Sequence, residues 1–210
     1  MTSKAAKPHS KLKTPPASDS LAGLHGAVAE IVEELRGKEA KQDAVIGESR
    51  QLIRDCANAI RHIHTGEASK ARVAAAELEK KIAALKSRVG DDFEGITHPI
   101  YQEYTEIMTL LAVHEKKPIP TRRELGVPAI AYLSGLADAV GELRRALQIS
   151  LKDGQETLAE SYYTAMNGIY ESLMVVKFSS SIVRDLKRKQ DVARMQLEQA
   201  RSEMLRSSRK

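Results

Sequence analysis

From Leu21 to about residue 206 the apolar side chains recur every three or four positions, and no stretch shows the two-residue alternation of a half-buried strand. That periodicity restricts the chain to helices packed on helices, an all-α fold. The segment near 128–151 carries it most fully, because Ile130, Leu133, Leu136, Ala137, Val140, Leu143 and Leu147 line one helix face. Val45, Leu52, Ile53, Cys56, Ile60 and Ile63 do the same in the first segment, so Cys56 reads as a small core side chain and not as a nucleophile. Glycine and proline punctuate the pattern at 65–67, 90–99, 116–121, 128 and 152–155. They predict helices near 21–64 (with a break around Gly37 or Gly47 left open), 67–88, 97–115, 128–151, 155–176 and 181–206. Thr121 followed by Glu124 is a capping-box pattern that starts one further short turn ending at Gly126. The expectation is a single-domain bundle of six to seven helices over residues 21–210. Residues 1–20, dominated by Lys, Ser, Pro and Ala, read as a flexible basic leader outside it.

Composition narrows the function. Of the 210 residues 42% are hydrophobic and 29% charged, and no apolar run approaches the ~20 residues of a membrane span, so no membrane role is expected. The single cysteine cannot form an internal disulfide, and the N-terminal stretch lacks the apolar region of a secretion signal, which points to a reducing cytoplasm. Aromatic residues are only 4% of the chain, with no tryptophan, so no base-stacking platform is expected and any nucleic-acid contact should run mainly through charge. The net charge of +5 is unevenly placed. Residues 1–20 hold four lysines against one aspartate, and residues 182–210 hold nine Lys/Arg against four Asp/Glu, leaving the body mildly acidic. Basic ends attract polyanions without reading sequence, and they equally serve solubility.

Two constellations can carry chemistry. Arg50, Arg54 and Arg61 fall within about 40° of one another on a helical wheel, a basic stripe that can track successive phosphates or simply face solvent. Glu103 and Glu106, three apart, and Asp138 and Glu142, four apart, each project from one side of a predicted helix. The first pair sits at the shoulder of an apolar face; the second lies nearly opposite the core face and is wet unless something covers it. Four hard oxygen ligands from two helices suit one or two Mg²⁺ ions and metal-activated water, although acidic pairs at this spacing are more often surface groups. His62 and His64 point to different faces, the chain has no HExxH, CxxC or GxxxxGK motif, and Ser179 to Ser181 lack a glycine elbow and read as a helix-capping linker.

The segments RQLIRDCANAIRHIHTGE (50–67), YQEYTE (101–106), YLSGLADAVGELRR (132–145), the stretch around Ile169 to Leu173 and LKRKQDVARMQLEQARSEM (186–204) resemble, in that order, the translin family. The most specific of them is YLSGLADAVGELRR. The resemblance implies an all-helical subunit that assembles into a hollow octamer and binds single-stranded RNA and DNA. In the catalytic branch, translin-associated factor X, QEYxE and ADxxGEL supply a Mg²⁺-dependent endoribonuclease site inside the shell. Carried over, its residues are Glu103, Glu106, Asp138 and Glu142, all present here, with Mn²⁺ as the alternative ion. The resemblance also implies that the shell's lumen covers Asp138 and Glu142 and that Arg50, Arg54 and Arg61 hold RNA beside them. The rival expectations are a non-catalytic single-strand-binding protein and a helical scaffold that meets protein partners through its basic C-terminal helix.

Overall fold

The computed structural model describes residues 19–90 and 92–207; positions 1–18 of the leader lie outside the described residues. The described residues form eight helices and no strand. They are α1 (Asp19–His64), α2 (Ala68–Val89), α3 (Glu94–His114), α4 (Arg122–Leu125), α5 (Ala129–Lys152), α6 (Glu156–Met174), α7 (Ser180–Val183) and α8 (Leu186–Ser207). None of them is long and apolar enough to cross a membrane.

Three boundaries depart from the sequence pattern, each for a local reason. Helix α1 passes through Gly37 and Gly47 without a break; a lone glycine costs a helix only about 1 kcal/mol, which 46 residues absorb. Helix α3 starts at Glu94, three residues ahead of expectation, and carries Pro99 inside it, in its second turn, where the missing N–H forfeits one internal hydrogen bond. The stretch expected as one helix over 181–206 is divided into α7 and α8 because Arg184 turns the backbone to φ 54°, outside the helical region. The capping box of α4 forms as read: Thr121 Oγ1 accepts from the Glu124 N–H, and the Thr121 N–H donates to Glu124 Oε2 at 2.7 Å.

The chain divides into two compact units, one running to Ala44 and one beginning at Val45. In the first, the helix surface carries the ion pairs Glu33–Arg36 and Glu34–Lys38, both at 2.7 Å. It also carries Leu21, Leu24, Val28, Ile31 and Leu35, each between 47% and 56% exposed.

In the second unit α5 is central, packing against α3, α6 and α8, while α2 packs on α3. The apolar face read from the sequence is the face that is buried: Leu136, Ala137, Val140, Leu143 and Leu147 join Leu52, Cys56, Ile60, Ile107, Leu110, Tyr162 and Met166 in one core. Each large side chain contributes roughly 1.5–3 kcal/mol by leaving water.

Helices α3 and α5 approach unusually closely. A Cβ placed on Gly135 would stand 2.5 Å from the Gln102 carbonyl oxygen and 2.6 Å from Thr105 Cβ. Only hydrogen fits there, and the facing Thr105 is itself small and bonds its hydroxyl back to the Tyr101 carbonyl at 2.8 Å. Gly135→Ala should therefore lower the unfolding free energy by about 1–3 kcal/mol, as small-to-large changes in packed cores do. Gly141→Ala on the same helix, where a Cβ meets open space, should be neutral or stabilising; urea denaturation of both variants checks the contrast.

Candidate active site

The close crossing sets the site. One turn beyond Gly135 on α5 comes Asp138, and one further turn brings Glu142; on α3, Gln102, Glu103 and Glu106 lie beside the same contact. Gln102 Nε2 donates to Asp138 Oδ2 at 2.6 Å, a bond joining the two helices. Of the four carboxylates expected from the sequence, Glu106 is buried, at 8% exposure, and the other three are half-buried.

Their electrostatics identify them as one cluster. Burial first, then the charges of Glu103, Asp138 and Glu142, push the Glu106 carboxyl up to about 9. Glu103 is raised by burial and by Asp138 and Glu142. Like charges in a poorly hydrated site cannot all ionise cheaply, and the buried member keeps its proton. Glu142 moves the other way, chiefly because it bonds His64 Nε2 through its Oε2 at 2.5 Å.

The polar face of α5 is covered within the chain itself. Lys189, from the first turn of α8, places its ammonium 2.8 and 2.6 Å from the two oxygens of Asp138. His64, the last residue of α1, closes over Glu142. Helical spacing leaves this face wet and the resemblance implies a shell's lumen as its cover; the chain supplies cover of its own. Gln102, Lys189 and His64 were not singled out for this role, because they meet their partners across 36, 51 and 78 positions and no local spacing announces such pairs.

The remaining expectations divide. Cys56 is fully buried and its thiol is pushed far up by burial, as a core side chain and not a nucleophile requires. Arg50, Arg54 and Arg61 are exposed on α1, with Arg54 bonding Gln51 at 2.6 Å.

As a donor set, four carboxylates suit a hard divalent cation, which would relieve the like-charge repulsion that adds to burial in raising Glu106. Among the described residues, no three His, Cys, Asp or Glu side chains already converge as a ligand set. The partners explain this: Asp138 is held by Lys189 and Gln102, and Glu142 by His64.

No family model matches the sequence. An uncharacterized protein of Methanocaldococcus jannaschii, MJ0175, is 30% identical over 178 residues, which span 83% of this chain and 80% of that protein. Among solved structures, AfC3PO in complex with duplex RNA aligns at a TM-score of 0.78 and 27% identity, covering 87% of this chain and 96% of its own. A crystal structure of AfC3PO aligns at 0.76 and 28% identity, covering 87% and 97%. Apo-NeC3PO, at 0.77 and 21% identity over 86% and 96%, shares the fold.

The raised Glu106 has a measurable consequence in metal-free protein. Its folded value lies above its unfolded one, so the folded state holds a proton that the unfolded chain releases, and stability falls as pH rises from about 4.5 towards about 9. Glu106→Gln, a neutral isostere, should stabilise the protein in EDTA by about 1 kcal/mol or more at pH 8 and by little at pH 5. Thermal melts at the two pH values check this; equal effects at both would refute the protonated state.

Proposed function

The chain belongs to the translin family, and on that premise we propose that it is a metal-dependent endoribonuclease that binds single-stranded RNA and cleaves it inside a hollow homo-oligomer. The observation that carries the reading is that Glu103, Glu106, Asp138 and Glu142 lie along the α3–α5 crossing, where burial, and after it the charges of Asp138 and Glu142, push the Glu103 and Glu106 carboxyls up. RNA as the ligand class is supported by AfC3PO, whose structure was solved with duplex RNA.

A Mg²⁺ or Mn²⁺ ion held by these carboxylates would supply an activated water and neutralise charge on the scissile phosphate. The chain's own groups prepare the ligands. Gln102 fixes the rotamer of Asp138, and His64 holds Glu142 ionised and oriented. Glu106 keeps a proton at neutral pH until a cation offsets its neighbours. Arg50, Arg54 and Arg61, exposed on α1, would hold the phosphate backbone, a contact that positions RNA without reading its bases.

Assembly is supported by the exposed stripe on α1. Leu21, Leu24, Val28, Ile31 and Leu35 alternate spacings of three and four, the repeat of a coiled-coil seam. In a parallel pair Glu34 would face Glu39 of the second copy; antiparallel pairing sets Leu24 against Leu35 and Val28 against Ile31, with Glu34 facing Ala27. The antiparallel arrangement avoids the like-charge contact. Replacing Leu24 and Ile31 together by Glu should lower the mass measured by light scattering to a smaller assembly, and an unchanged mass would exclude this seam.

The second reading, a non-catalytic RNA- or single-stranded-DNA-binding protein, is favoured by one observation: Lys189 already neutralises Asp138. Labelled single-stranded and duplex RNA, incubated with Mg²⁺, with EDTA, or with Glu142→Gln protein, separates the readings. Cleavage of the single strand is expected only with metal and intact Glu142, slowed about 100-fold or more by the substitution. RNA bound but uncut in every lane would favour the binding protein, and no binding at all would favour a scaffold.

A further inference from the structure

The cation on Asp138 is a lysine placed where a helix disfavours it, whereas Arg145, 3.7 Å from Glu142, is largely exposed. Lys189 is in the first turn of α8, the positive end of the helix dipole, and that turn contains no acidic residue. Its side chain is 11% exposed, although lysine is rarely buried without a partner. Its backbone is firmly set: Leu186 is fully buried before it, and Gln190 after it donates to the carbonyls of Leu173 at 2.6 Å and Val176 at 3.2 Å.

What repays this position is Asp138. The ammonium sits 2.6 Å from one carboxylate oxygen and 2.8 Å from the other, spanning both. Nearly every other lysine pair has its lysine at least half exposed, as in Lys70–Glu67, Lys81–Asp55 and Lys117–Glu115. Lys189 also acts beyond its partner, since its charge opposes the upward push on both Glu103 and Glu106.

A group that binds both oxygens of one carboxylate and offsets the charge of two others stands in the chemical role of a bound cation. Lysine has a flexible four-carbon stem and a compact charge, so the head can leave while the helix stays. We propose that Lys189 is the built-in counter-cation of the carboxylate cluster, occupying Asp138 in the metal-free protein, competing with a divalent ion for it, and so setting the affinity of the site. The proposal rests on the metal-dependent reading above and makes Lys189 a positioning residue that acts through Asp138.

Competition predicts a sign opposite to that of an ordinary structural ion pair. Lys189→Met should bind Mn²⁺ about tenfold more tightly or better, because the ion no longer displaces a cation and meets a more negative cluster. In EDTA the variant should melt below wild type, since Asp138 is left half-buried with its Gln102 bond but without its counter-charge, and saturating Mn²⁺ should close most of that gap. Lys189→Arg, which keeps the charge and secures the fold, should bind Mn²⁺ more weakly than wild type, because a guanidinium grips a carboxylate bidentately.

Full-length wild type, Lys189→Met and Lys189→Arg are titrated with Mn²⁺, with free ion followed by electron paramagnetic resonance and melting recorded in parallel. Tighter binding by the Met variant and weaker binding by the Arg variant support the competition. Equal Mn²⁺ affinity in all three, with the Met variant melting lower by the same amount with and without metal, makes Lys189 a fastener of α8 and overturns it while leaving the nuclease reading intact. No Mn²⁺ binding by any of the three overturns both. If the Met variant does not fold, an Arg variant that binds as tightly as wild type is enough to refute the proposal.

Discussion

The contact on which the site depends is backbone against side chain, at Gly135. Two helices with ordinary side chains between them sit 8–10 Å apart; here the α5 backbone is within reach of the Gln102 carbonyl and Thr105 with nothing but a hydrogen between. The consequence reaches the chemistry directly. Gln102, whose carbonyl lies under Gly135, sends its side chain to Asp138 one turn along, so the same residue marks both the packing contact and the first polar contact of the site. A glycine in a helix interior costs about 1 kcal/mol relative to alanine. That cost is offset by what closeness brings: carboxylates on separate helices drawn into mutual range.

Mutual range is itself costly. Glu103 and Glu106 are raised by burial and by their acidic neighbours, so the fold stores electrostatic repulsion at its centre. Three responses to it are visible, and each belongs to a different element. Glu106 takes up a proton, His64 at the end of α1 holds Glu142, and Lys189 at the start of α8 holds Asp138.

The fold was legible because it depends on periodicity, which a sequence displays directly. The face running through Leu136, Val140, Leu143 and Leu147 was read from spacings of three and four and is the buried face of α5, and Cys56 was placed in the core by the same argument. Boundaries were less legible where backbone geometry decides them: nothing in the residue pattern near 184 shows that Arg184 adopts φ 54° and divides the last helical stretch in two. The carboxylates are visible as pairs at helical spacing that can be joined into one metal site, but spacing alone favours surface groups, and the resemblance is what singles out the joint site. Their partners were not visible at all. His64 lies at a helix end with no motif around it, and Lys189 is one of several basic residues in a strongly basic helix; what distinguishes each is the tertiary neighbour it meets.

That difference has a consequence for how the outer helices relate to the centre. An ion pair with one partner removed leaves an uncompensated charge in a poorly hydrated place, which costs more than the intact pair contributes. Lys189 therefore ties the docking of α8 on α5 to the state of Asp138, and His64 ties the end of α1 to the state of Glu142. Arg144 makes a further α5–α8 link, to Glu203 at 2.6 Å and Gln196 at 2.8 Å, neither of them one of the four carboxylates. Helix α8 is thus anchored twice on α5, once by the Arg144 contacts and once by the Lys189–Asp138 pair. If the inner pair opens, the outer one and the buried Leu186, Ala193 and Ala200 still hold the helix. The inner pair can exchange its partner without the helix leaving, which is the structural condition for a counter-charge that gives way.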